Sequence, residues 1–136
     1  PLHIDHMFDV FFVNKHSIDY ISNCVQRSWP DGLDIQLYPT KILKKCIDVY
    51  APQKHVGWNI AQHPHMFSVL HWPPSKRYFW PELGLTLDTI EDYALLKTLF
   101  LKLGPYLPAE RYIDFLKCRP KYITNKNVRR KLPKEG

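Results

Sequence analysis

Leu85-Thr86-Leu87-Asp88-Thr89-Ile90-Glu91-Asp92-Tyr93 is the stretch on which the reading of this chain turns. Leu85-Thr86-Leu87 predicts a short strand, since such residues suit a pleated, half-buried surface. Asp88 or Thr89 then offers a side-chain oxygen to the first free amides of a helix. Glu91 and Asp92 put negative charge in its first turn, where the helix dipole favours it. Leu95, Leu96, Leu99, Phe100 and Leu103 recur at helical spacing and form one long apolar face, which Gly104 closes. A strand that hands over to a helix is the repeating joint of α/β architecture.

The same reading extends to both sides. Ile4 to His16 carries apolar residues at 4, 7, 8, 11 and 12, a helical stripe, and Asp19 to Val25 predicts a strand. Ser28-Trp29-Pro30-Asp31-Gly32 is a turn by composition. Leu33 to Tyr38 alternates Leu33, Ile35 and Leu37 against Asp34, Gln36 and Tyr38, a strand with one polar face. Pro39 or Thr40 opens a helix to Tyr50 whose apolar face is Ile42, Leu43, Cys46, Ile47 and Tyr50. A short helix follows from Gln53 to Gln62, stopped at His63-Pro64. Phe67 to Trp72 is a strand candidate, Pro73 to Arg77 a loop, and Pro108 to Lys117 the last helix. Only about four strands result, few for an independent domain of this class.

With 136 residues the chain suits one domain, and its 14% aromatic content supplies a core. No apolar run approaches the ~18 residues of a membrane span, so no membrane insertion is expected. Cys24, Cys46 and Cys118 are odd in number and widely spaced, which predicts free thiols and a cytoplasmic setting. The net charge of +6 is uneven. Residues 119–136 hold seven cations against Glu135 alone, whereas residues 1–118 are balanced. The expected organisation is therefore a neutral body, 1–118, and a basic C-terminal tail, 119–136. Cations confined to a tail, rather than spread over one face, do not describe a nucleic-acid surface. A solvated tail, or one lying against a phosphorylated ligand, fits better.

Two stretches together carry a family resemblance. Asp19-Tyr20-Ile21-Ser22-Asn23 with Trp29-Pro30-Asp31-Gly32-Leu33-Asp34-Ile35 is the first, and Leu85 to Tyr93 is the second. In order and separation they resemble the spore coat polysaccharide biosynthesis protein F family, which is similar to CMP-Kdo and CMP-acylneuraminate synthetases. The resemblance covers residues 1 to about 130. It implies a three-layer Rossmann-like nucleotidyltransferase of the nucleotide-diphospho-sugar transferase type, with only its C-terminal half present. It also implies CTP-dependent activation of an acidic sugar for surface polysaccharide, with CTP or another nucleoside triphosphate and the sugar as partners. Mg²⁺ would be the cofactor, and homodimerisation follows from the relatives' habit.

By the resemblance, Asp88 is a metal ligand, and Asp31, Gly32, Asp34, Gln36 and His55 lie near the sugar. Each has a plainer reading: Asp88 as a helix cap, Asp31 and Asp34 as turn-forming side chains, His55 as a surface histidine. His63 and His65 lack a third ligand at usable spacing, so zinc is not expected. The family's Gly-, Ser- and Arg-rich nucleotide loop is absent here, and Pro1-Leu2 aligns just after the family's first metal-binding Asp. The chain alone is therefore expected to be inactive, though the complete protein would be an enzyme. Four positions depart from the family: Gln36 for Glu, Lys54 for Glu, Gly84 for Arg and Ile90 for Pro. A non-catalytic truncated relative, kept as a sugar-binding or dimerisation module, is the alternative.

Overall fold

A computed structural model of the chain describes residues 2–49 and 57–130. The described residues form two compact units. The first draws on 2–27, 34–49 and 57–73, and the second on 28–33 and 74–130.

The first unit contains α1 (Leu2–Val13), β1 (Tyr20–Ser22), β2 (Gln36–Leu37), α2 (Thr40–Val49), α3 (Trp58–Gln62) and β3 (Val69–His71). Its sheet runs β2-β1-β3, with β2 antiparallel and β3 parallel to β1. Register decides which side chains share a face. Ile21 lies opposite both Leu37 and Leu70, and this row packs with Met7 and Phe11 of α1. Tyr20 lies opposite Val69 on the other face, with Ile42 and Cys46 of α2, Ile60 of α3 and Phe67. The first unit is thus a helix–sheet–helix sandwich with an apolar cluster on each side of three short strands.

Helices form where the spacing predicts them, but some faces differ. The stripe on α1 divides: Met7 and Phe11 are buried, while Ile4, Phe8 and Phe12 are exposed. Phe8 and Phe12 stack on each other, 5.9 Å between ring centroids. On α2 the inward side is Ile42 and Cys46, and Ile47 is exposed. Tyr50 and the expected helix start at Gln53 lie outside the described residues, and α3 is seen from Trp58. Of the alternating stretch Leu33 to Tyr38, only Gln36 and Leu37 pair as a strand.

The second unit contains α4 (Ile90–Leu103), α5 (Ala109–Cys118) and a 3-10 turn at Pro120–Tyr122. Leu95 and Leu99 of α4 and Tyr112, Ile113 and Leu116 of α5 are buried, whereas Phe100 is exposed. Gly104 ends α4 at φ 84°, a conformation that glycine adopts without steric cost. The Tyr112 hydroxyl then ties the connection, donating to Gly104 O at 2.6 Å and accepting from Leu107 N at 3.2 Å. The basic segment does not trail into solvent as far as it is described: Asn125 is 1% exposed, and Arg130 reaches a buried carboxylate. Leu85-Thr86-Leu87 is not a strand. The backbone pairs one residue earlier, in an isolated bridge between Gly84 and Asp31.

Candidate functional site

Thr89 is the helix cap that the sequence leaves open between two residues. Its hydroxyl accepts from Asp92 N at 3.2 Å, and the Asp92 carboxylate accepts from Thr89 N at 3.2 Å, a reciprocal capping box. Asp92 Oδ2 also accepts from Asp88 N at 3.2 Å and Thr86 Oγ1 at 3.4 Å. Asn125 Nδ2 reaches Asp92 Oδ1 at 2.6 Å and Gly84 O at 2.9 Å. Arg130 donates to both carboxylate oxygens, at 2.8 and 3.3 Å. Burial alone would raise the Asp92 pKa, but Arg130, Asn125 and the Asp88 amide together hold it well below the usual carboxylate range. Asp92 is therefore committed to the fold. Asp88 differs: its amide is held, while its side chain is exposed and makes no hydrogen bond or ion pair among the described residues.

Gly32 brings the two motif stretches together within the second unit. Asp31 N donates to Leu83 O at 2.8 Å, and Leu85 N donates to Asp31 O at 2.7 Å. Gly32 has φ 96°, and a Cβ placed there would stand 2.7 Å from Leu85 O and 3.1 Å from Thr86 N. Only glycine permits both this conformation and this approach. The turn Asp31-Gly32 thus abuts the backbone that leads to Asp88. Gly84 is needed for a different reason: a Cβ there would fall on the Arg130 guanidinium. The space beside Gly84 is taken by a guanidinium arriving from residue 130.

In the first unit, Asp34 and Gln36 have partners. Arg27 Nη1 donates to Asp34 Oδ1 at 2.9 Å, and Asp34 remains about a third exposed. The Gln36 amide faces the Cys24 sulfur at 3.7 Å, and its Oε1 lies 2.5 Å from where a Cβ on Gly57 would stand. Register sets Gln36, Ser22 and His71 side by side across the sheet. This polar row marks the carboxyl ends of the parallel strands β1 and β3, where ligands gather in open α/β sheets. Ser22 Oγ lies 2.9 Å from Cys24 Sγ and accepts from Cys24 N at 3.1 Å. Burial pushes the Cys24 thiol up and the His71 imidazole down, so both are neutral. Asn23 Oδ1 accepts from Ile35 N at 2.7 Å, which makes Asn23 a clasp between β1 and the segment entering β2.

His55 lies outside the described residues. Asp92, Asn125, Arg130, Ser22 and His71 are absent from the sequence-derived site. The Thr89-x-x-Asp92 spacing marks Asp92 as a capping partner, but nothing local marks the other four. Asp88 has the hard oxygen chemistry that Mg²⁺ prefers. Donor number is another matter: among the described residues no three His, Cys, Asp or Glu side chains converge on a possible cation site. One carboxylate does not make a magnesium site.

No family model matches the chain. By sequence it is 34% identical over 78 residues to the spore coat polysaccharide biosynthesis protein SpsF of Bacillus subtilis (strain 168). That match takes in 56% of this chain and 32% of SpsF. By structure it matches a cytidylyltransferase from Leptospira borgpetersenii serovar Hardjo-bovis (strain JB197) with TM-score 0.77 at 25% identity. The superposition covers 93% of this chain and 54% of that one. The chain therefore spans about half of the cytidylyltransferase and a third of SpsF. No helix among the described residues is long and apolar enough to cross a membrane. In sequence this chain is similar to SpsF, and in fold to a cytidylyltransferase.

Proposed function

We propose that the chain forms part of a sugar nucleotidyltransferase that activates an acidic sugar for surface polysaccharide with CTP. In this reading the sugar oxygen attacks the α-phosphate and pyrophosphate leaves. Mg²⁺, when bound, would offset the developing negative charge. Asp88 would supply one of its oxygen ligands, the rest coming from outside the described residues and from the triphosphate. Asp31-Gly32, in the same unit, would stand on the sugar side. The observation that carries the reading is the contrast between Asp92, inside the first turn of α4, and Asp88, just before its cap. Asp92 takes up the helix amides and Arg130, and this leaves the Asp88 side chain exposed and unengaged on a backbone whose amide is held by Asp92.

The test is Asp88→Asn in the longer protein with the chain's relatives' full span, assayed by CTP-dependent pyrophosphate release at saturating Mg²⁺. Loss of one carboxylate ligand of the Mg²⁺ that would offset charge on the transferring phosphate should lower turnover by roughly 10²-fold or more. The melting temperature should stay unchanged, because the Asp88 side chain makes no contact that folding needs. Unchanged turnover removes Asp88 from the site. The 136 residues alone should release no pyrophosphate, and robust release from them would contradict the assignment of the remaining ligands to other residues.

A further inference from the structure

Among the described residues of the basic segment, Arg130 is the cation that is not exposed. Its side chain is 10% exposed and its partner Asp92 is fully buried. Burying a guanidinium costs several kcal/mol of desolvation, roughly, unless its partner and geometry repay that cost. Here the geometry is a fork: Nη2 to Asp92 Oδ1 at 2.8 Å, with Nη1 to Asp92 Oδ2 at 3.3 Å and to Thr86 Oγ1 at 3.2 Å. The oxygen reached by Nη1 is the one that accepts from the Asp88 and Thr89 amides. Gly84, with no Cβ, leaves the space that the guanidinium fills. Asn125, five residues before Arg130, secures the other carboxylate oxygen and the Gly84 carbonyl.

We propose that Arg130 is a positioning residue, which orients the Asp92 carboxylate so that it fixes the backbone at Asp88 and Thr89 and thereby sets where the Asp88 side chain stands. The consequence for chemistry rests on the reading of Asp88 given above; the positioning itself does not. Through Arg130 the C-terminal segment becomes part of the site. Lysine is a poor substitute, since a single ammonium cannot span both oxygens and Thr86 in this arrangement.

Hydrogen exchange of individual amides in the 136-residue chain tests this without any catalytic assay. In Arg130→Met, the Asp88 and Thr89 amides should exchange at least about 10-fold faster, while those of Leu95 and Leu99 in the buried middle of α4 keep their protection. Arg130→Lys should give an intermediate acceleration at the same two amides. Unchanged exchange at 88 and 89, or an equal rise along all of α4, overturns the proposal. If Arg130→Met does not fold, Arg130→Lys is judged by the same two criteria. A double-mutant cycle with Gly84→Ala adds an independent check. Gly84→Ala should destabilise the parent strongly and the Arg130→Met background little, and equal losses in both would show that residue 84 makes no room for the guanidinium. Failure of Asp88→Asn to affect turnover would sink the functional reading and leave these results standing.

Discussion

Asp92→Asn probes the network from its centre, because the change keeps shape and removes only charge and two acceptor lone pairs. The carboxylate accepts six hydrogen bonds: two from Arg130, and one each from Asn125, Thr86 Oγ1 and the Asp88 and Thr89 amides. An amide nitrogen placed at either oxygen would confront donors. On the Oδ1 side it meets Asn125 and Arg130, and on the Oδ2 side the helix amides. Arg130 would also be left buried without a counter-charge, a loss worth about 3–5 kcal/mol. For a chain of this size that corresponds to a fall of roughly 10–20 °C in melting temperature. Thermal and urea unfolding at neutral pH would measure it. The double variant Asp92→Leu/Arg130→Met should lose less than Asp92→Asn alone, since it leaves no unpaired charge. A loss under about 1 kcal/mol in Asp92→Asn, or a double variant as unstable as the sum of the singles, would refute the account of a coupled buried pair.

Two further outcomes follow from the same unit. Because the folded Asp92 pKa lies below its unfolded value, the unfolded chain takes up the proton first as pH falls. The stability this group contributes is therefore present above the ordinary carboxylate pKa of about 4 and is lost on acidification below it. The stability gap between the parent and Asp92→Asn should narrow as pH drops below about 4, and a gap that stays constant would remove the charge from the explanation. Gly32→Ala should cost more than Gly104→Ala. Both residues have positive φ, but a Cβ at 32 meets Leu85 O at 2.7 Å and one at 104 meets nothing within 4 Å. Strain alone costs about 1–2 kcal/mol at either position, so the excess at 32 in urea unfolding reads the closeness of Leu85-Thr86, and equal losses would mean the two stretches do not touch.

Local order was legible in the sequence wherever a short-range rule governs it. The Thr89-x-x-Asp92 spacing, the leucines of α4 and Gly104 at its end are each decided by neighbours within a turn or two. What failed was decided by partners far along the chain. Leu85 to Leu87 has strand composition, yet the backbone meets Asp31 at Gly84, one residue before the predicted segment begins. The stripe on α1 spans both sides of the helix, and only the sheet selects Met7 and Phe11 over Phe8 and Phe12. Arg130 reads as one more tail cation because its carboxylate is 38 residues away. Polar Gln36, Ser22 and His71 become neighbours only through strand register.

The two carboxylates at the start of α4 show why residue type at a motif position does not settle a role. Asp88 and Asp92 are four apart and both suit a helix N-terminus. Asp92 sits at the third helical position, from which a carboxylate can reach back to the cap amide. That reach turns it inward, toward Gly84, Asn125 and Arg130. Asp88 precedes the cap, so the same helix offers its side chain no amide; only its own N–H is used, as a donor to Asp92. Position thus separates the acids: Asp92 is neutralised within the fold, whereas Asp88, like Glu91 in the first turn, is exposed at the surface. A ligand that draws on Asp88 at this end of the second unit meets a carboxylate whose backbone amide Asp92 holds.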